Sequence, residues 1–438
     1  MSKKNTPYQV AFYCSIVLFV FSFLYVSVKI VLANIPAQGL DFRLIWLAGK
    51  LWLEGKNPYD NSVFQAAYLP VFGVGPNTHF WVYPPSWSLI STVFGMFPFS
   101  VAESLWRLFN YLALLGIVAV SGLMLHHWNL FQWNDARFYM GATYLYLLQA
   151  TSVVISIGQT TILSTFGFML TIYGIGQSSL PLAVLGMYIV ALKPQLAFAF
   201  FVSLMAVGYY RLVFLAVLLT MFSSEIAFLS TGITANIQGF LDNLNRYSTD
   251  LHLSANLPPD LTGLVNLLDY LIYPKTISLS PRISVVISIL LGLVIGFLMR
   301  RYQISFSIKD AASNYFNQRR EIIISWIMTV LSSIYFLTPL HSYDAVLLGP
   351  IGIFSLYLRR AKLLFLIPIL LLIMRAGNIA QITGIHHPGS KIFRDSLIVS
   401  LSSFILLNFM VFITAKTLMK FHHSQNSEFD KGLDSPEK

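Results

Sequence analysis

Val10-Ala-Phe-Tyr-Cys14-Ser-Ile-Val-Leu-Phe-Val-Phe-Ser-Phe-Leu-Tyr-Val-Ser-Val28 runs without a single charged residue. A hydrocarbon core of about 30 Å takes roughly 20 apolar residues wound as a helix, and this run has that length. It follows Met1-Ser-Lys3-Lys4, as a secretory signal would. It exceeds the roughly 7–15 residues of a signal h-region, so it reads as a retained anchor. Apolar runs recur near 10–33, 84–99, 101–125, 137–156, 160–176, 179–193, 195–209, 212–231, 283–299, 322–338, 345–358, 362–379 and 395–416. On length they predict an all-α polytopic membrane protein, a bundle of about 11 to 13 transmembrane helices.

Composition agrees. Of 438 residues, 56% are hydrophobic and 11% charged, against roughly 25% charged in a soluble domain. Mean hydropathy is +0.68. A soluble core cannot hide so much apolar surface, and a disordered chain has the opposite balance. Aromatic residues make up 15%, as belts at the membrane interface require. The net charge of +10 comes from basic residues at segment ends: Lys3 and Lys4, Arg300 and Arg301, Arg319 and Arg320, Arg359, Arg360 and Lys362. That is the positive-inside pattern rather than a nucleic-acid footprint. Cys14 is the one cysteine, so no disulfide or cysteine metal cluster forms within the chain.

These charges place the N-terminus, the Arg300–Arg320 loop, the Arg359–Lys362 loop and the polar tail 422–438 in the cytoplasm. The loop 34–83 then faces outward, as do 232–282 and the His341 loop. Residues 1–421 form one membrane domain. Thirteen spans would put the two ends on opposite sides, so one segment between 84 and 231 is re-entrant or two are one. Lys193 lies in that stretch.

The first outer loop carries Asp41-Phe-Arg43-Leu-Ile-Trp-Leu-Ala-Gly-Lys50-Leu-Trp-Leu-Glu54-Gly55, which predicts an interfacial helix. Arg43, Lys50 and Glu54 share a face. Phe42, Ile45, Trp46, Trp52 and Leu53 offer apolar bulk to the bilayer boundary, and Gly55 and Pro58 end the helix. Asp41 at its start is either an N-cap or a catalytic carboxylate in a membrane-surface cleft. The helix N-terminus favours its charged form in both cases. Asn57-Pro-Tyr59 and Phe80-Trp-Val-Tyr83-Pro-Pro85 follow, suited to an aromatic belt at the interface. Gly158-Gln159-Thr160-Thr161 and Lys193-Pro194-Gln195 interrupt apolar sequence. A lysine there either snorkels or serves as a cation for phosphate. His341 lies in Pro339-Leu-His341-Ser-Tyr-Asp344, on the side of Asp41. The pairs His126–His127, His386–His387 and His422–His423 have no carboxylate at metal-ligand spacing. No P-loop, GxGxxG or GxSxG motif is present.

In order and spacing, Asp41 with Ala48-Gly49, Gly55-Lys-Asn-Pro-Tyr59, Phe80-Trp-Val-Tyr83-Pro-Pro85, Gly158-Gln159 and Lys193-Pro-Gln195 resemble the family 87 glycosyltransferases. The resemblance covers the first half of the chain; beyond it only His341 and the span pattern match. It implies the GT-C fold and an enzyme akin to polyprenyl-phosphate-mannose-dependent mannosyltransferases. Such enzymes take a sugar from a polyprenyl-phosphate carrier at the outer leaflet, with an acidic residue of the first outer loop as base. Asp41 holds that position. The donor phosphate calls for cations or hydrogen-bond donors, with Lys193, His341 and Arg43 as candidates. Tyr59, Tyr83, Gln159 and Gln195 are candidate substrate contacts, and Trp81 offers an apolar face. A single displacement with one base gives inversion. Neither a metal nor another cofactor is called for, since the leaving group is a monophosphate and no DxD motif is present. The acceptor, a lipid or a glycan, stays open. The rival readings are a transporter or lipid-carrier flippase and an O-antigen ligase or polymerase with a diphosphate donor. Paired, interrupted helices in matching halves would mark the transporter, and no such symmetry is evident.

Overall fold

The computed structural model describes residues 6–32, 39–73, 80–249, 260–272, 281–301, 316–358, 360–388 and 394–433. Most of the Arg300–Arg320 loop, Arg359 and the Asn256-Leu-Pro-Pro stretch lie outside these residues. Among them there are only helices and one isolated antiparallel bridge, Thr262 with Leu340.

The first apolar run is α1 (Thr6–Leu32). After it come α2 (Leu40–Leu53) and α3 (Asn61–Phe72), and then a 3-10 turn, Pro85–Trp87, leads to α4 (Ser88–Gly95) and α5 (Phe99–His127). α6 (Ala136–Leu147) and α7 (Gln149–Ile157) are bent by 51° at Leu148. α8 (Thr161–Gly176), α9 (Leu180–Ala191) and α10 (Pro194–Val207) are short and apolar. α11 (Tyr210–Phe222) and α12 (Glu225–Thr231) complete one span, and α13 (Ile233–Thr249) and α14 (Leu264–Ile272) lie in the 232–282 stretch. α15 (Pro281–Arg301) and α16 (Phe316–Leu337) follow. The 3-10 turn Ser342–Leu348 then enters α17 (Gly349–Ser355). α18 (Arg360–Met374) and α19 (Ala376–Thr383) are bent by 77°, and α20 (Ser396–Leu433) ends the described chain. α20 carries helix well into the polar tail that begins at 422.

Among the described residues, five helices are long and apolar enough to cross a membrane, or seven when each bent pair counts as one span. The protein is an all-α polytopic membrane protein. Among the described residues, the full-length spans are fewer than the 11 to 13 expected because several apolar segments are short or broken. α4 has eight residues, about 12 Å of helix, so the 84–99 segment does not cross. α8, α9 and α10 fall short of a full span in the same way. Phe21, Phe214 and Phe412 are each more than 60% exposed, tolerable only where lipid covers them. The span Arg320–Leu337 is the opposite case, 94% buried at the centre of the bundle.

α2 packs chiefly against α4. Phe42, Ile45, Trp46 and Trp52 are buried within the protein rather than spread on the bilayer boundary, and Leu53 alone of that set is exposed. Gly49 makes the contact close: a Cβ there would lie 1.8 Å from the Ser91 carbonyl oxygen. This packing fixes the height and rotation of α2, and with them the position of Asp41.

Candidate active site at three helix breaks

Three interruptions in the bundle meet beside the N-terminus of α2. The first is Gly158, which ends α7 with φ 75° and ψ 29°. A Cβ here would stand 2.6 Å from the Phe42 Cβ, so glycine serves both the left-handed turn and the close approach of α2. The Trp106 indole N–H donates to the Gly158 carbonyl at 2.9 Å, and its ring stacks on Phe42 at 5.3 Å. The Gly39 N–H reaches the Ser156 carbonyl at 2.8 Å. The start of α2 is thereby tied to the α7–α8 break.

The second break is Lys193. Pro194 excludes helical geometry from the residue before it, and Lys193 sits at φ −120°, ψ 82° between α9 and α10. The Trp87 indole N–H accounts for the Leu192 carbonyl at 2.8 Å, so the Pro84-Pro85 turn braces this break. The third is the turn that begins at His341, whose backbone N–H donates to Asp344 Oδ2 at 3.1 Å. The Thr262 N–H donates to the Leu340 carbonyl at 2.7 Å, anchoring the turn to the segment before α14.

Lys193 is neither a snorkelling lysine nor a bare cation. Its Nζ donates to Asp344 Oδ1 at 2.6 Å and to the Thr161 hydroxyl at 2.7 Å, and Thr161 also donates to Asp344 Oδ1. The two charged side chains are 5% and 1% exposed. A buried lysine needs a buried acid, and Asp344 is that acid. Burial would raise the Asp344 carboxyl, but Lys193, His341 and the Thr161 hydroxyl outweigh it and hold it below the ordinary value. Neither Asp344 nor Thr161 stands out in the sequence taken residue by residue. The missed signal was the uncompensated lysine. Two other acids lie in apolar helices: Glu103 pairs with Arg107 at 2.7 Å and Glu225 is exposed.

Asp41 does not cap α2. Gly39 is the N-cap, no side chain caps the end, and Asp41 lies within the first turn, where the helix field favours its charge. Its Oδ2 accepts a hydrogen bond from Gln159 Nε2 at 2.9 Å. Thr160 fixes the amide orientation, since its N–H and hydroxyl donate to Gln159 Oε1 at 2.6 and 3.0 Å. Asp41 is half-buried, and desolvation raises its pKa from 3.8 to about 7, with Lys193 opposing the rise and Asp344 adding to it. A carboxylate in this setting can take a proton near neutrality.

The charge of Asp41 acts on the Tyr83 and Tyr343 hydroxyls, and Tyr83 bonds Gln159. Tyr59 is buried, and its hydroxyl donates to the Tyr83 carbonyl at 2.6 Å. Trp81 is wholly buried. The Asn243 amide bridges the Tyr59 and Trp81 carbonyls at 3.1 and 3.0 Å. Tyr59 and Trp81 therefore hold Tyr83 in place from behind. The His341 ring is buried and stands 5.0 Å from the Tyr343 ring; desolvation lowers its pKa, which favours the neutral imidazole.

Two expected residues stay out of this cluster. Arg43, two positions beyond Asp41 and so on another side of α2, lies over the Phe72 ring at 5.1 Å and bonds Tyr68. Gln195 is exposed on α10. Among the described residues, no three His, Cys, Asp or Glu side chains gather as a metal would require.

No curated protein and no solved structure matches this chain. The sequence model of glycosyltransferase family 87 matches residues 81–313, just over half of its length. The matched region holds Tyr83, Gln159 and Lys193, while Asp41, His341 and Asp344 lie on either side of it. The chain belongs to glycosyltransferase family 87.

Proposed function

We propose that this glycosyltransferase moves a hexose, of the mannose type, from a polyprenyl-phosphate carrier to an acceptor hydroxyl at the outer face of the membrane, with Asp41 as base. The observation that carries the reading is Asp41 itself. It is a half-buried carboxylate at the start of α2, raised to about 7 and aimed by Gln159. A base is most effective when its pKa lies near the working pH.

In the proposed step the acceptor oxygen bonds to the anomeric carbon as the bond from that carbon to the phosphate oxygen breaks. The acceptor proton passes to Asp41, and the electron pair leaves with the polyprenyl phosphate. Phosphate is a competent leaving group without protonation, so hydrogen-bond donors suffice. One displacement inverts the anomeric configuration. Lys193 contributes chiefly through Asp344: the pair locks the α8 and α10 starts to the His341 turn and offsets the acid's field at Asp41. Tyr83 and His341 are the nearer candidates for contact with the donor. Arg43 and Gln195 have supporting or surface roles.

The test is transfer from labelled polyprenyl-phosphate-mannose by purified protein in nanodiscs supplied with a membrane glycolipid extract. Wild type transfers label and Asp41→Asn does not. Equal transfer by both would remove Asp41 from the mechanism.

A further inference from the structure

A groove of about 480 Å³ opens where the C-terminal parts of α10 and α15 meet the start of α11. α10 and α15 are in close contact beside it: a Cβ on Gly292 would lie 2.8 Å from the Ala199 carbonyl oxygen, and one on Gly296 2.8 Å from the Ala206 Cβ. Leu293, Val294 and Phe297 line the groove and are 41%, 55% and 61% exposed. Leu293, Phe297 and Arg300 are spaced by four and three residues, so they share one face of α15. The apolar trough runs about 10 Å along that helix and ends on a charge.

The charged end suits an anion. The Arg300 guanidinium donates to the Tyr210 hydroxyl at 2.7 Å and lies 5.9 Å from the centre of its ring. That contact aims the guanidinium and engages one of its five N–H donors. Arg211 and Arg301 follow Tyr210 and Arg300 in the chain, and all three arginines are exposed. α10, α11 and α15 contain no aspartate or glutamate. Among the described residues, no carboxylate pairs with any of the three arginines. α11 also starts here without a side-chain cap, so the field of its first N–H groups adds to theirs.

A soluble anion has no use for the exposed apolar trough, and a neutral lipid has none for the arginines. A zwitterionic head would bring a cation that meets no acid. Basic pockets between membrane helices hold anionic lipid heads. The groove is also remote from the transfer chemistry. Ala206, in its wall, lies toward the opposite end of α10 from Lys193, about 20 Å along the helix, whereas the proposed donor phosphate departs beside Asp41.

We infer that this groove binds an anionic glycerophospholipid of the bilayer, with its phosphate on Arg300 and Tyr210 and an acyl chain along Leu293, Val294 and Phe297. The bound lipid ties α15 to α11 and to α10, the helix whose other end carries Lys193. The site stands whether or not Asp41 is the base.

The test is native mass spectrometry of the full chain in mild detergent, titrated with dioleoyl phosphatidylglycerol, dioleoyl phosphatidylcholine or polyprenyl phosphate. One phosphatidylglycerol should bind per chain at least tenfold more tightly than phosphatidylcholine. Arg300→Ala removes a charge-assisted hydrogen bond and should weaken that binding about tenfold, while Arg300→Lys keeps the charge and should stay within about threefold. Val294→Trp, which fills the trough, should also weaken it about tenfold. Lys420→Ala changes an exposed lysine outside the groove and should alter it less than twofold. Phosphatidylglycerol should raise the thermal unfolding midpoint of wild type and Lys420→Ala, and not of Arg300→Ala. Equal affinity for the two phospholipids would reduce the groove to ordinary lipid contact and overturn the proposal. Equal weakening by Arg300→Ala and Lys420→Ala would do the same, as would binding that survives Val294→Trp. Displacement of phosphatidylglycerol by polyprenyl phosphate, in a manner that depends on Arg300, would assign the groove to the carrier lipid and overturn the glycerophospholipid.

Discussion

Replacing Lys193 by Met removes one charge of a buried pair and strands the other. Lys193 Nζ lies 2.6 Å from Asp344 Oδ1, with the side chains 5% and 1% exposed. At an effective dielectric of about 20, attraction at that distance is about 6 kcal/mol. Burying each ion costs several kcal/mol of hydration, so the intact pair adds little net stability. The single variants are different. Lys193→Met leaves a buried carboxylate, Asp344→Leu leaves a buried ammonium, and each should cost about 3–5 kcal/mol. The double variant Lys193→Met with Asp344→Leu leaves no buried charge and should fall within about 2 kcal/mol of wild type, part of that from the Thr161 hydroxyl losing its partners. The assay is unfolding of the four proteins in dodecyl maltoside on titration with sodium dodecyl sulfate, followed by circular dichroism and treated as a double-mutant cycle. Single losses below about 1 kcal/mol, or a double loss equal to their sum, would refute a buried, mutually compensating pair.

Other outcomes follow from the same geometry. Asp41 works as a base only when ionised, so kcat/KM should fall tenfold per pH unit below about 7 and level off above it. Gln159→Met removes a donor to the charged carboxylate and should move that limb upward by about one unit; a fixed or downward-shifted limb would dissociate Gln159 from Asp41. The folded pKa of Asp41 exceeds its ordinary 3.8, so its contribution to stability is present below that value and lost as pH rises through about 7. The difference in unfolding midpoint between wild type and Asp41→Asn should track this window. Gly158→Ala forces a Cβ to 2.6 Å from Phe42 at φ 75° and should cost about 1–3 kcal/mol by the same unfolding assay, with reduced transfer. Gln195→Ala alters an exposed side chain and should change transfer less than twofold.

Much of this was legible in the sequence because a bilayer imposes a simple constraint. Apolar length locates helices. Gly158 and Pro194 marked two of the three breaks because glycine and proline act through local backbone geometry. The bends at Leu148 and Arg375 carry neither residue, so 137–156 and 362–379 each read as one segment. The partner of Lys193 lies 151 residues away, and no periodic pattern reports a contact at that separation. Tyr59 and Trp81 read as ligand platforms because an exposed and a buried aromatic look alike in sequence. Asn243, which turns them into supports for Tyr83, lies in the 232–282 stretch that offered no recognisable pattern. Arg43 was selected for its charge, although its position two residues from Asp41 already turned it to another side of the helix.

The most direct test of the base assignment is the pH dependence of single-turnover transfer from labelled polyprenyl-phosphate-mannose, compared across wild type, Asp41→Asn and Asp41→Glu in nanodiscs. If Asp41 takes the acceptor proton, wild type shows an ascending limb near pH 7, Asp41→Asn loses at least about a hundredfold, and Asp41→Glu keeps measurable transfer with a displaced limb. If Asp41→Asn transfers label at the wild-type rate with the same limb, the proton goes elsewhere and the base assignment is wrong.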